Sequence, residues 1–240
     1  MNVLQAALRW LNDPLNWQGP QGISARFVEH LGMSALAVLL AALIALPLGI
    51  WLGHRRRGAA LVVVATNTSR ALPTLALLLI FASTGLGFGN RPTVIAAALF
   101  AIPPILTNAF TGVAGVDQGV RDAARGMGMG SVRSLALVEL PLAVPLVAAG
   151  LRTAAVQVVA TVPLAGLVGG GGLGPIIITG LATRRFGEVI AGGLLVAALC
   201  LAVEGVLAAA QHAVTPAGLR PARRRRRLPF GTSRRIVTEV

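Results

Sequence analysis

The chain has 240 residues, 55% of them hydrophobic and only 12% charged. A soluble domain carries roughly 25% charged residues, so this composition cannot clothe a globular surface and suits one that faces lipid. The formal net charge of +13 comes entirely from arginine, which stands in short blocks between apolar runs without interleaved aromatics. That pattern argues against a nucleic-acid partner. The single cysteine, Cys200, lies in an apolar run and reads as a small buried hydrophobe. One thiol excludes an intramolecular disulfide and a cysteine-based metal site, and no metal ligand set is expected.

Residues 1–30 are mixed and polar, with Asp13, Pro14 and Pro20, and lack the pattern of a cleavable signal. They are expected to form an extracytoplasmic arm. A bilayer core needs roughly 20 apolar residues in a helix, and five stretches meet that length. They run over Met33 to Gly53, Ala71 to Gly89, Pro92 to Val116, about Pro141 to Val168, and about Gly187 to Ala210. Residues 59–70 are apolar only as far as Ala65 and read as an interfacial or broken helix, with a sixth crossing as the alternative. The expected organisation is therefore all-α and polytopic: an arm over 1–30, a membrane domain over 31–212, and a basic tail over 213–240.

Orientation follows from the arginines. His54-Arg55-Arg56-Arg57 follows the first span, Arg121, Arg125 and Arg133 lie between the third and fourth, and Arg223 to Arg227 with Arg234 and Arg235 follow the fifth. The positive-inside rule puts these blocks in the cytoplasm, with the N-terminus outside. Arg184-Arg185 is an exception on the outer side. The tail reads as a solvated anchor that touches anionic lipid.

Between spans three and four the sequence predicts a helix, a glycine turn, a second short helix and a stop. Asp117 is placed to cap the first helix, Asp122 and Arg125 stand three apart on one face, Gly128 suits a left-handed helix end, and Pro141 closes the loop. This loop, 117–141, resembles the cytoplasmic motif of ABC-importer permeases: Glu-Ala-Ala, three residues, Gly, nine residues, Ile-x-Leu-Pro. Asp122 stands for the Glu, Ala123, Ala124 and Gly128 match in spacing, Val138 stands for the Ile, and Leu140-Pro141 match. The resemblance implies the type I importer permease fold and a loop of Asp122, Ala123, Ala124, Arg125, Gly128, Leu140 and Pro141 that couples to a separate ATPase. It implies that this chain carries no cofactor and that ATP and Mg belong to that partner. The chain has no Gly-x-x-x-x-Gly-Lys-[Ser/Thr] loop and no lysine to supply one.

Arg70 to Leu77, Ala123 to Met129, Glu139 to Pro145 and Gly169 to Gly174 together resemble the permeases of glycine betaine/carnitine/choline-type osmoprotectant importers, with methionine-type permeases as the nearest competitor. That resemblance implies a second permease subunit, identical or paralogous, and a separate extracytoplasmic binding protein. A quaternary ammonium is held by aromatic cages, and this chain has no Tyr, seven Phe and three Trp. Selectivity is therefore expected in the binding protein.

Polar candidates for the path or gate are Asn67, Ser69, Arg70, Asn108, Gln157 and Thr161, with Gly171 and Gly172 at a turn near the outer face. Arg152 and Glu204 are intramembrane charges at comparable depth and are expected to form a structural ion pair. Pro47, Pro103-Pro104 and Pro163 are expected to kink their helices. The competing class, an ion-coupled secondary transporter, is disfavoured because Glu204 is essentially alone as an intramembrane carboxylate.

Overall fold

The computed structural model describes residues 2–71, 73–216 and 218, and leaves out the side chains of residues 68–71. The arginine blocks at 223–227 and 234–235 lie outside the described residues, as do the side chains of Ser69 and Arg70. Every regular element among the described residues is helical: α1 (Val3–Asn12), α2 (Ile23–His54), α3 (Ala59–Ala71), α4 (Thr74–Ala82), α5 (Asn90–Ala114), α6 (Gln118–Gly126), α7 (Ser131–Ser134), α8 (Leu140–Thr161), α9 (Gly174–Ala182) and α10 (Phe186–Val214). Helical segments alone suit a bilayer, where each backbone N–H and C=O must be paired within its own element.

The centre of the fold is the pairing of α2 with α5. Ala37, Ala41, Ala45, Gly49 and Gly53 recur every fourth residue along α2 and are all buried. A methyl placed on Gly49 would come within 2.8 Å of Leu106 O and Ala109 Cβ, and one on Gly53 within 2.8 Å of Phe110 O. Lipid tails are as apolar as leucine, so membrane helices are held by close packing of small residues rather than by burial from water. The large residues of α2, Leu36, Leu39, Leu43 and Ile44, are left exposed on its other face. α8 crosses α5 by the same device, with Gly150 set directly over Asn108 and Gly112 against Ala143.

Among the described residues, four helical runs are long and apolar enough to cross a membrane alone: Ile23–His54, Asn90–Ala114, Ser131–Val168 and Phe186–Val214. The second expected span is built differently. α4 has nine residues, about 14 Å of helix, too short to cross. α3 precedes it along the same partner: Thr66 Oγ1 lies 2.7 Å from Thr107 Oγ1, while Thr74 and Leu78 sit beside Thr93, Ala96 and Ala97 of α5. The two short helices thus run antiparallel to α5, one after the other, with a break at Pro73, which adopts an extended conformation (φ −70°, ψ 116°). Proline has no N–H to continue the ladder. Residues 59–70 are therefore helical and packed on α5 ahead of that break, as the broken helix expected there, and neither α3 nor α4 is long enough to cross alone.

Two further boundaries differ from expectation. α2 already starts at Ile23, within the region read as an arm, and α1 packs its Ala6–Ala7 backbone on Gly187 at the start of α10. Pro141 does not stop a helix. The chain is helical from Ser131 onward, and a π-turn over Leu135–Glu139 precedes α8. The wider turn, in which the Leu140 N–H reaches Leu135 O, makes room for a proline ring that would strike a carbonyl of a regular α-turn. It also rotates Glu139 inward, where it is 1% exposed. Beyond Thr161 the chain tightens to a 3₁₀ segment (Val162–Val168), turns at Gly169–Gly172 and doubles back as α9, with Gly166 against Gly174 and Pro175.

Replacing Gly49 by Val should force α2 away from α5 and cost about 1–3 kcal/mol. The expected outcome is a lower thermal unfolding midpoint in detergent. The same change at Gly32, which has open space around it, should leave the midpoint nearly unchanged. Equal losses at both sites would contradict the close-contact account.

Candidate functional site

The α6–α7 loop emerges from the end of the bundle formed by the C-terminus of α2, the C-terminus of α5 and the start of α8. Asp117 Oδ1 accepts from the Val120 N–H at 3.3 Å and caps α6. The helix ends where Gly128 adopts φ 79°, its N–H donating to Arg125 O at 2.8 Å and the Met129 N–H to Ala124 O at 3.1 Å. Gln118 Nε2 donates to Asp122 Oδ1 at 2.9 Å, and Arg125 Nη1 lies 3.6 Å from the same oxygen, both on the exposed side. Ala123 is exposed and Ala124 buried, so α6 rests on one alanine and offers the other. Met127 and Val132, 72% and 80% exposed, flank that face. Leu140 is half-buried and Pro141 exposed.

Beneath this face lies a buried cluster that the motif spacing does not reveal. Arg121 and Glu139 are 3% and 1% exposed, and Arg121 Nη2 stands 3.2 Å from Glu139 Oε2. Arg121 also donates to His54 O at 3.2 Å and to Val113 O. His54 Nδ1 donates to Glu139 Oε2 at 2.8 Å, and its Nε2 lies 2.6 Å from Ser131 Oγ. Ser134 Oγ reaches Glu139 Oε1 at 3.5 Å. Arg56 Nη2 donates to Val116 O at 2.7 Å and closes the outer rim. Burial pulls the Arg121 guanidinium below its usual value, the Glu139 carboxylate opposes that, and Arg56 and Arg125 add to the lowering. Arginine remains charged throughout. One cluster therefore joins α6, α7, the π-turn and the ends of α2 and α5.

In the sequence Arg121 and His54 read as members of basic blocks, and Glu139 as a neighbour of a motif. A usable signal is nonetheless present. Arg121 and Ala124 share the side of α6 opposite Asp122, and a buried arginine requires a carboxylate. Glu139 is the one acidic residue between Asp122 and Glu188.

Among the described side chains, the polar residues expected along a path bond mainly within their own helices. Asn108 is half-buried and bonds Pro104 O at 2.8 Å on its own helix, and Thr161 Oγ1 donates to Gln157 O at 2.7 Å. Asn67 and Gln157 are both exposed. Arg152 Nε lies 3.4 Å from Glu204 Oε1 across the α8–α10 seam, with side chains 31% and 43% exposed. Further along the seam Gln211 Nε2 donates to Pro145 O at 3.0 Å.

Gly171 and Gly172 lie at the far end of the bundle, in a junction with residues that no sequence motif marks. The Gly171 N–H donates to Asn90 Oδ1 at 2.6 Å and the Gly172 N–H to Glu29 Oε2 at 2.8 Å. Asn90 Nδ2 donates to Glu29 Oε1 at 2.8 Å. The Leu173 N–H donates to His30 Nδ1 at 3.3 Å, which leaves His30 Nε2–H to donate to Val159 O at 3.0 Å. A methyl on Gly171 would overlap the Glu29 carboxylate, and Gly172 adopts φ 70°.

Residues 45–216 match the family described as binding-protein-dependent transport system inner membrane component. The chain belongs to this family. It is 38% identical over 191 residues to the choline transport system permease protein OpuBB of Bacillus subtilis, covering 80% of this chain and 88% of that one. The glycine betaine/carnitine/choline permease OpuCB of the same organism matches equally, at 38% over 191 residues. The osmoprotectant import permease OsmW of Salmonella typhimurium is 34% identical over 196 residues, 80% of this chain and 91% of that one. Among solved structures, an inward-facing MetNI methionine ABC transporter superposes with a TM-score of 0.71 at 21% identity, covering 85% of this chain and all of that one. The chain is thus a membrane-spanning ABC permease, a transport subunit and not an enzyme.

Replacing Glu139 by Ala should leave the Arg121 charge buried without its partner and cost about 3–5 kcal/mol. Replacing Arg121 by Met and Glu139 by Leu together should cost less than either loss of one partner. A double variant as unstable as the sum of the two, measured by thermal unfolding in detergent, would contradict a buried ion pair.

Proposed function

We propose that this chain forms the translocation path of an ATP-driven importer for a quaternary-amine compatible solute of the glycine betaine, choline and carnitine class. The carrying observation is the α6–α7 surface, where Asp122, Ala123 and the Gly128 turn are exposed on a helix fixed from below by Arg121 and Glu139. Such a surface suits a docking ATPase, because a push on α6 acts on the ends of α2, α5 and α8 through one buried cluster. ATP and Mg²⁺ reside on that partner. The substrate class rests on the choline, carnitine and glycine betaine permeases among the relatives.

The arginine blocks support a cytoplasmic α6–α7 loop and an outer Gly169–Gly172 turn, with N-terminus outside and C-terminus inside. A second permease, of the same sequence or a paralogue, completes the path. The Arg152–Glu204 pair supports this: it is 31% and 43% exposed within spanning helices, and such charge does not face lipid tails. A second subunit or the aqueous path covers it. An extracytoplasmic binding protein delivers the solute and supplies the aromatic recognition this chain lacks. Asn67, Ser69, Arg70, Asn108, Gln157 and Thr161 are the residues proposed to meet the path.

The test is reconstitution of the permease with its ATPase and binding protein in vesicles, offered glycine betaine, choline, carnitine and methionine. ATP-dependent uptake of the quaternary amines is expected, with methionine excluded. Uptake driven by an ion gradient without ATP would reject the proposal. Gly128→Leu should uncouple hydrolysis from uptake, since a left-handed conformation costs a side-chain residue roughly 1–2 kcal/mol. Wild-type uptake per ATP in that variant would remove the coupling role of the turn.

A further inference from the structure

The Gly169–Gly172 turn lies between a 3₁₀ segment and α9, and it is not held by packing alone. Three successive amides, those of Gly171, Gly172 and Leu173, point at Asn90, Glu29 and His30. Successive backbone N–H groups exposed at a turn favour an anionic acceptor, and here the Glu29 carboxylate takes the central one, from Gly172. Asn90 completes a closed ring: it donates to Glu29 Oε1, accepts from the Gly171 N–H, and Glu29 Oε2 accepts from the Gly172 N–H. The ring ties three elements that no regular secondary structure joins, namely α2, the start of α5 and the turn. Arg26 Nη1 adds a contact of 3.4 Å to Gly172 O. Beside the ring opens a cavity of about 710 Å³, lined by Arg26, Phe88, Arg91 and Thr179 among others.

We propose that Glu29 and Asn90 are the latch of the extracytoplasmic gate: the ring is closed in this state and breaks when the path opens outward. This rests on the importer reading above. Both residues are positioning residues, acting through the turn rather than on solute. Hydrogen bonds to a carboxylate are strong enough to bias a two-state element, yet few enough to be broken by partners that favour the open state. By linkage, whatever loosens the latch should do part of what the docked binding protein does.

The ring's donors and acceptors can be exchanged with little change in volume. Glu29→Gln sets an amide N–H₂ against the Asn90 N–H₂, and Asn90→Asp sets carboxylate against carboxylate. The double variant keeps the net charge and restores the pattern: the amide now at position 29 donates to the carboxylate now at position 90, while each still accepts from its glycine amide. In the reconstituted complex, each single variant should raise hydrolysis without binding protein on the order of ten-fold and lower solute moved per ATP. The double variant should return both towards wild type. Singles that hydrolyse and transport as wild type, or a double that fails to recover, would overturn the latch. A second measurement needs no variant. Amides 171–173 of the wild-type complex should resist hydrogen exchange at rest and lose protection when the complex is trapped with binding protein and a non-hydrolysable nucleotide. Unchanged protection would overturn the proposal equally. Absence of ATP-driven uptake by the wild-type complex would instead sink the importer reading, so the two failures are distinct.

Discussion

The buried pair of Arg121 and Glu139 is the constraint on which the loop end of this permease depends. Taking two charges out of water is costly unless each is paired and further hydrogen-bonded. Here Glu139 collects Arg121, His54 and Ser134, and Arg121 collects backbone carbonyls from the ends of α2 and α5. The arrangement is geometrically demanding, because the two terminal nitrogens of a rigid planar fork must meet acceptors on three elements at once. That is why a nine-residue helix such as α6, too short to be stable by itself, holds a fixed pose on the bundle. Low exposure of the pair also means salt does little to screen it.

The π-turn over Leu135–Glu139 belongs to the same constraint. Pro141 would break a regular α-turn, and the wider turn accommodates it while swinging Glu139 beneath α6. A helix ending at Pro141 would leave the Glu139 side chain free to turn to solvent and Arg121 without its carboxylate. The sequence motif and the ion pair are therefore coupled through backbone geometry. Leu140-Pro141 matters less for what those side chains touch than for the turn that precedes them.

Much of the architecture is legible in the sequence because hydrophobic run length is a direct physical requirement of the bilayer. The first, third, fourth and fifth runs correspond to α2, α5, the Ser131–Val168 helix and α10. The packing of α3 on α5 is less legible because residues 66–70 are polar, and polarity after an apolar run normally signals an end. Thr66 is instead sheltered by Thr107, a partner that only the folded bundle provides. The loop helix and its caps are legible through Asp117 and Gly128, since capping is local chemistry. Long-range polar partnerships are not. His54 with Glu139, and Glu29 with Asn90 and the glycine turn, join residues 85, 61 and 143 positions apart, and no local pattern encodes such pairings.

Both polar junctions share the same two helices. α2 carries His54 at its loop end and Glu29 and His30 at its turn end, and α5 runs from Asn90 to the Val113 carbonyl that receives Arg121. Between them lies about 35–40 Å of helix, packed through alanine and glycine at distances where no methyl can be added to Gly49 or Gly53. Such an interface has little compressibility, so α2 and α5 are better described as one strut than as two sliding rods. A displacement imposed on α6 then cannot be absorbed locally at the small-residue seam. Under the proposed coupling, it passes along the strut to the turn held by Glu29 and Asn90. The fold thus places its close small-residue packing along the middle of the two helices and its long-range polar junctions at their two ends.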